Sequence, residues 1–138
     1  MKFIVAVIVL IILASGVPVF ATNYVEPADF KQWLISGKKM AVVDIQPGAE
    51  FAQHHFKGAI ETNAFPGKTD GDKQRLDKVL PVIGAGTAAV VVVCPRGRGG
   101  AKNAYDYLKS KGVAEQRLFI LEEGVAGWPY KELFVTGR

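Results

Sequence analysis

The chain carries one cysteine among its 138 residues, and the residues beside it suit the handling of a reactive sulfur atom. Cys94 ends the apolar run Ala88-Ala89-Val90-Val91-Val92-Val93 and opens the segment Pro95-Arg96-Gly97-Arg98-Gly99-Gly100, after which a helical pattern begins at Ala101. A thiol so placed stands at the C-terminal end of a buried strand, facing a helix N-terminus. Ligands of open α/β sheets bind at that end of the strands. A helix start offers free N–H groups and partial positive charge to a thiolate or a bound anion. Gly97, Gly99 and Gly100 let the backbone curl and present N–H groups without Cβ clashes, while Arg96 and Arg98 add full positive charges. Such a thiolate can attack the outer sulfur of a dianionic donor such as thiosulfate, keep it as a persulfide and release sulfite beside the arginines. The plainer alternative is a buried structural cysteine followed by a tight turn with solvated arginines.

Other chemistries lack their residues. Gly97-Arg98-Gly99-Gly100 does not complete a dinucleotide-binding glycine pattern, and no phosphate-loop Gly-Lys-Ser/Thr ending occurs. Without a Cys-x-x-Cys pair, neither a dithiol redox centre nor a zinc knuckle can be built. His54 and His55 are adjacent, so their side chains diverge, and no metal or other cofactor is expected. A Cys–His pair requires the fold to bring one of them to Cys94. Cys-dependent phosphatases need an arginine six residues after the cysteine to clamp phosphate oxygens in bidentate fashion; here that position is Gly100, and the arginines stand second and fourth.

Seventeen Lys and Arg against 13 Asp and Glu give a net charge of +4, too mild and too scattered for a nucleic-acid surface. Met1 to Ala21 reads as a signal peptide: Lys2 as the positive start, Phe3 to Leu13 as the apolar stretch, Val19-Phe20-Ala21 as the cleavage site. The alternative is an uncleaved anchor over residues 3–21, which would tie the protein to a membrane. Either way the expected location is periplasmic or otherwise extracytoplasmic. One domain is expected over residues 22–138. A lone cysteine cannot close an internal disulfide there, so the thiol must be buried or used.

The elements that would position Cys94 alternate between strands and helices. The pattern predicts a helix over Pro27–Ser36 with Phe30, Trp33 and Leu34 on one face, stopped by Gly37. It predicts a strand over Met40–Asp44, a brief helix over Pro47–Gln53 and a weaker strand over Ala59–Asn63. A charged helix follows over Asp70–Leu80, with Leu76, Val79, Leu80 and Ile83 at helical spacing. Ala88–Val93 is the most hydrophobic strand and therefore central. Ala101–Lys111 reads as a helix, Leu118–Leu121 as the last strand and Trp128–Leu133 as a final helix. Alternation of this kind gives an α/β domain with a mainly parallel sheet.

Four motifs, in order, resemble the rhodanese (thiosulfate sulfurtransferase-like) family, over Tyr24 to Phe134. Val42-Val43-Asp44-Ile45-Gln46 resembles the family's first-strand signature, which usually ends in arginine. His55-Phe56-Lys57-Gly58-Ala59-Ile60 resembles its His-Ile-Pro-Gly-Ala-Ile segment. Val91-Val92-Val93-Cys94 with its loop matches the active-site strand. Leu121 to Trp128 resembles the closing Gly-Gly-x-x-x-Trp motif. The resemblance implies a three-layer α/β domain with a sheet of about five mainly parallel strands flanked by helices. It implies Cys94 as nucleophile and the backbone of Pro95 to Gly100 as the sulfur cradle. Asp44 and His55 are further candidates: Asp44 either lies under the loop or anchors backbone at the sheet end, and His55 supports the thiol only if the fold brings it to Cys94. The resemblance also implies a small-molecule sulfur donor, a thiol or cyanide acceptor, and a sulfur-relay protein as a further partner. Gln46 stands where the family carries arginine, so an ion pair near Glu50 or Glu61 is expected to be lost. Gly99 and Gly100 stand where many members carry Arg and Ser/Thr, which moves the loop's positive charge to Arg96 and Arg98.

Overall fold

The computed structural model describes residues 21–138. The expected leader over residues 1–21, and the alternative anchor over 3–21, lie outside the described residues except for Ala21. In chain order the elements are β1 (Tyr24–Val25), α1 (Pro27–Ser36), β2 (Met40–Asp44), α2 (Gly48–Gln53), β3 (His55–Phe56) and β4 (Ile60–Glu61). Then come α3 (Asp70–Asp77), α4 (Leu80–Ile83), β5 (Ala89–Val93), α5 (Gly99–Ser110), β6 (Leu118–Leu121) and β7 (Phe134–Val135). Among the described residues, no helix is long and apolar enough to cross a membrane.

Five strands form one parallel sheet in the order β1-β6-β5-β2-β4, with the hydrophobic β5 in the middle as its composition requires. β2 and β5 run in register from Met40 opposite Ala89 to Asp44 opposite Val93. Side chains of a strand alternate between faces. Val90, Val92 and Cys94 accordingly point into a core shared with Leu76, Ala101, Ala104, Tyr105 and Leu108, while Val91 and Val93 point into a second core with Phe30, Phe56, Leu121 and Trp128. The parity of β5 thus sets the direction of the cysteine.

The segment predicted as one helix over Asp70–Leu80 is two. Thr69 opens α3 with a capping box, its Oγ1 accepting from the Asp72 N–H and the Asp72 carboxylate accepting from the Thr69 N–H. Pro81 then supplies no N–H for the carbonyl of Asp77 and crowds it, so the helix ends and α4 restarts at Leu80. The final helix expected over Trp128–Leu133 does not form. Pro129 turns Trp128 away from helical backbone, and only a short 3₁₀ turn at Lys131–Leu133 precedes β7. β7 pairs antiparallel with β3, a two-stranded ribbon outside the main sheet. Arg117 is buried, and its guanidinium donates to the carbonyls of Ala88, Gly84 and Ile83, tying the end of α4 to the approach to β5.

Candidate active site

Cys94 follows the last residue of β5 and is buried at 2% exposure. The loop after it turns back, so the Gly97 N–H donates to Cys94 Sγ at 2.7 Å. α5 begins at Gly99, two residues earlier than its apolar pattern indicates, so only Pro95 to Arg98 separate the cysteine from the helix. Glycine has no side chain to reveal such a start.

A second segment locks the loop in place. The N–H groups of Val125 and Ala126, in the turn that follows β6, donate to the carbonyls of Cys94 and Pro95 at 3.0 and 2.9 Å. The two backbones pack directly on each other. Gly97 has φ of +67°, and a Cβ there would stand 2.5 Å from the Glu123 nitrogen and 2.7 Å from that of Gly124. Gly124 has φ of +61°, and a Cβ there would stand 2.3 Å from the Cys94 carbonyl oxygen and 2.8 Å from the Arg96 nitrogen. Only glycine meets both the dihedral and the approach.

The thiol sits in the lining of a cavity of about 310 Å³. Pro95, Arg96, Arg98, Gly99 and Gly100 line it from the loop side, while Gly97 is buried and contributes its N–H instead. Arg96 and Arg98 are both exposed at the rim. The remaining wall comes from Pro47 and Glu50, at the start of α2, and from Phe65.

Sequence reasoning missed Pro47 and Phe65 and knew Glu50 only as a lost ion-pair partner. The Phe65 N–H donates to the Ile45 carbonyl, continuing the pairing of β4 alongside β2. Its ring then occupies the space above Gly100, where an added Cβ would come within 2.8 Å of the ring. The absent side chain at Gly100 was the available signal, but its meaning depends on a residue far away in the chain. Among the described residues, Glu50 has no ion-pair partner within 4.0 Å, although it shares a cavity with two arginines.

Asp44 and His55 are not in the lining of this cavity. The Asp44 carboxylate accepts from the Gln46 N–H at 2.8 Å and from Gln46 Nε2 at 2.9 Å, and the same amide group donates to the His54 carbonyl. Gln46 therefore satisfies the buried carboxylate as a neutral donor. Burial pushes the Asp44 carboxyl up to about 6, with the Gln46 hydrogen bonds and the nearby His55 offsetting part of that cost. His55 stacks on Phe51 at 4.0 Å between ring centroids, and its Nδ1 lies 2.8 Å from the Phe51 carbonyl. His54 stacks on Phe134. The fold thus brings neither histidine into the wall around the thiol. Glu61, the other acid beside position 46, pairs with Arg138 at the surface. Among the described residues, no three His, Cys, Asp or Glu side chains gather to hold a metal ion.

The family model of the rhodanese-like domain matches residues 26–131. No curated protein matches the sequence. Among solved structures, the chain is similar to thiosulfate sulfurtransferase from Pseudomonas aeruginosa, with 20% identity and a TM-score of 0.64. That match covers 85% of this chain but only 20% of the other, so the chain spans about a fifth of that protein's length. It is similar to a Saccharomyces cerevisiae protein described as a homolog of single-domain rhodanese and Cdc25 phosphatase catalytic domain, with 21% identity, a TM-score of 0.57 and coverage of 77% and 78%. It is also similar to the As-Sb reductase from Leishmania major, with 16% identity, a TM-score of 0.61 and coverage of 84% and 86%. At these identities the likeness is one of fold, and the names of the three proteins span transferase, phosphatase and reductase. The match over residues 26–131 sets the family itself: the chain belongs to the rhodanese-like domain family.

Proposed function

We propose that this protein is an extracytoplasmic sulfurtransferase that carries sulfane sulfur on Cys94. The observation that supports it most is the Cys94 Sγ held at 2.7 Å from the Gly97 N–H, in a cavity rimmed by Arg96 and Arg98. The Cys94 thiolate attacks the outer sulfur of thiosulfate. The S–S bond of the donor breaks, and sulfite departs with its electron pair, drawn off by the two arginines. The outer sulfur stays on Cys94 as a persulfide anion, which the N–H groups of the loop and of the start of α5 can hold. A thiolate or cyanide then attacks that sulfur, and the Cys94 thiolate returns. The domain of residues 22–138 acts outside the cytoplasm, with the apolar residues 1–21 as export signal or membrane anchor. A sulfur-relay protein is a second source or sink for the same sulfur.

Intact mass after exposure to thiosulfate tests this directly. The wild-type domain should gain one sulfur atom and lose it again on adding cyanide, while Cys94→Ser gains none. A wild-type protein unmodified by thiosulfate but loaded by the persulfide of a partner protein would make it a relay module. Phosphatase chemistry, suggested by the yeast neighbour, lacks its phosphate-clamping arginine because Gly100 occupies that position. Turnover of an aryl phosphate by Cys94 would overturn the sulfurtransferase reading.

A further inference from the structure

A small inorganic dianion leaves part of the lining of the cysteine cavity unused. At about 310 Å³ the cavity has the room of about ten liquid waters, most of which a small inorganic dianion would leave unfilled. Pro47 and the ring of Phe65, which Gly100 admits by having no side chain, make part of its lining apolar. Its two polar walls are of opposite sign. Arg96 and Arg98 stand on the loop and Glu50 on α2, and no pair among them closes to within 4.0 Å. Gln46, buried and neutral, donates to Asp44 and the His54 carbonyl and brings no charge to Glu50. A carboxylate in the wall repels an incoming dianion and attracts a cation. A ligand with a short carbon skeleton bearing both charges would satisfy both walls at once.

We propose that the organic partner exchanging sulfur with Cys94 is an amphoteric thiol, an amino-acid-like compound whose ammonium meets Glu50 and whose carboxylate meets Arg96 and Arg98. This rests on the persulfide reading above and names the substrate class for it. In the forward step the thiol of the ligand attacks the outer sulfur of the Cys94 persulfide anion, Cys94–S–S⁻, and its proton passes to that sulfur. The bond between the two sulfurs breaks, its electron pair returns to Cys94 as thiolate, and the ligand leaves as its own persulfide with the proton. The reverse step loads Cys94 through the same contacts, and neither direction needs an outside oxidant or reductant.

The test starts from the domain loaded with inorganic polysulfide, and intact mass follows its discharge by cysteine, by cysteamine, which lacks the carboxylate, and by mercaptopropionate, which lacks the ammonium. For each thiol, the rate for Glu50→Gln is divided by the wild-type rate, which cancels the thiol's own reactivity. Glu50 is exposed, so the substitution leaves the core untouched. Cysteine and cysteamine should each slow by about fivefold, the worth of one partly exposed ion pair, while mercaptopropionate holds or speeds up. Equal ratios for all three thiols would overturn the assignment while leaving the persulfide chemistry standing. A wild-type protein that takes up no sulfur from any donor would overturn both.

Discussion

Asp44 is a buried acid whose carboxylate, among the described residues, accepts hydrogen bonds only from the neutral groups of Gln46. Its carboxyl is pushed up to about 6 chiefly by burial, so the folded protein holds this proton more tightly than the unfolded chain does. The stability contributed by that proton is complete below about pH 4 and is lost as the pH rises through about 6. A shift of about two units corresponds to about 3 kcal/mol. Asp44→Asn keeps an acceptor for the Gln46 N–H but has no proton to lose. Urea unfolding between pH 4 and 7 should show a downward component in the wild type that the variant lacks. Parallel pH profiles for the two proteins would show that Asp44 titrates alike in both states. Gln46 itself was legible as a departure from its motif, but not its new role. That role depends on the His54 carbonyl arriving from the far end of α2.

The clamp between the cysteine loop and the turn after β6 makes opposite demands on neighbouring positions. Gly97→Ala would need φ of +67° and space that the Glu123 and Gly124 nitrogens occupy. It should cost about 2–4 kcal/mol and abolish sulfur loading, since the donor to Sγ moves with it. Glu123 holds φ of +62° as a non-glycine residue. Glu123→Gly should relieve that strain for a net gain of up to about 1 kcal/mol, the flexibility added to the unfolded chain taking part of it back. Thermal unfolding reads both signs, and a destabilised Glu123→Gly would mean that its side chain contributes more than its backbone costs. The elements that carry this clamp divide into those the sequence declares and those it does not. Pro27–Ser36 and Met40–Asp44 were readable to the residue, because a proline start, a glycine stop and an unbroken apolar run are local signals. β1, β3 and β7 have two residues each, too few to show a period of two, and exist only because partners elsewhere receive them. The Phe65 wall belongs to the same class, an outcome of tertiary approach with no local mark.

Over the whole molecule, the sheet is covered on both faces and the two cores differ in character. The core holding Cys94 is mostly aliphatic, whereas the other is a set of aromatic rings around Trp128, which meets Phe56 at 4.9 Å and Phe30 at 5.7 Å, edge to face. Trp128 also donates from Nε1 to the Tyr130 carbonyl at 2.7 Å. Trp128→Ala should cost about 3–5 kcal/mol. Because Val125 and Ala126 lie three and two residues before it, sulfur loading should fail before the domain unfolds on heating. Coincident loss of both signals would show that the clamp does not rely on the tryptophan.

The order of strands in the sheet also fixes a schedule. Tyr24 in β1 pairs with Ile120 in β6, and the groups that pin the cysteine loop come later still, at Val125 and Ala126. A polypeptide is made from its N-terminus, and distant pairings form slowly. Every emerging chain therefore presents Cys94 to its surroundings before the residues that shelter it exist. The thiol is sheltered only at completion, and a chain cut short before Val125 keeps an open thiol for any oxidant or stray disulfide it meets.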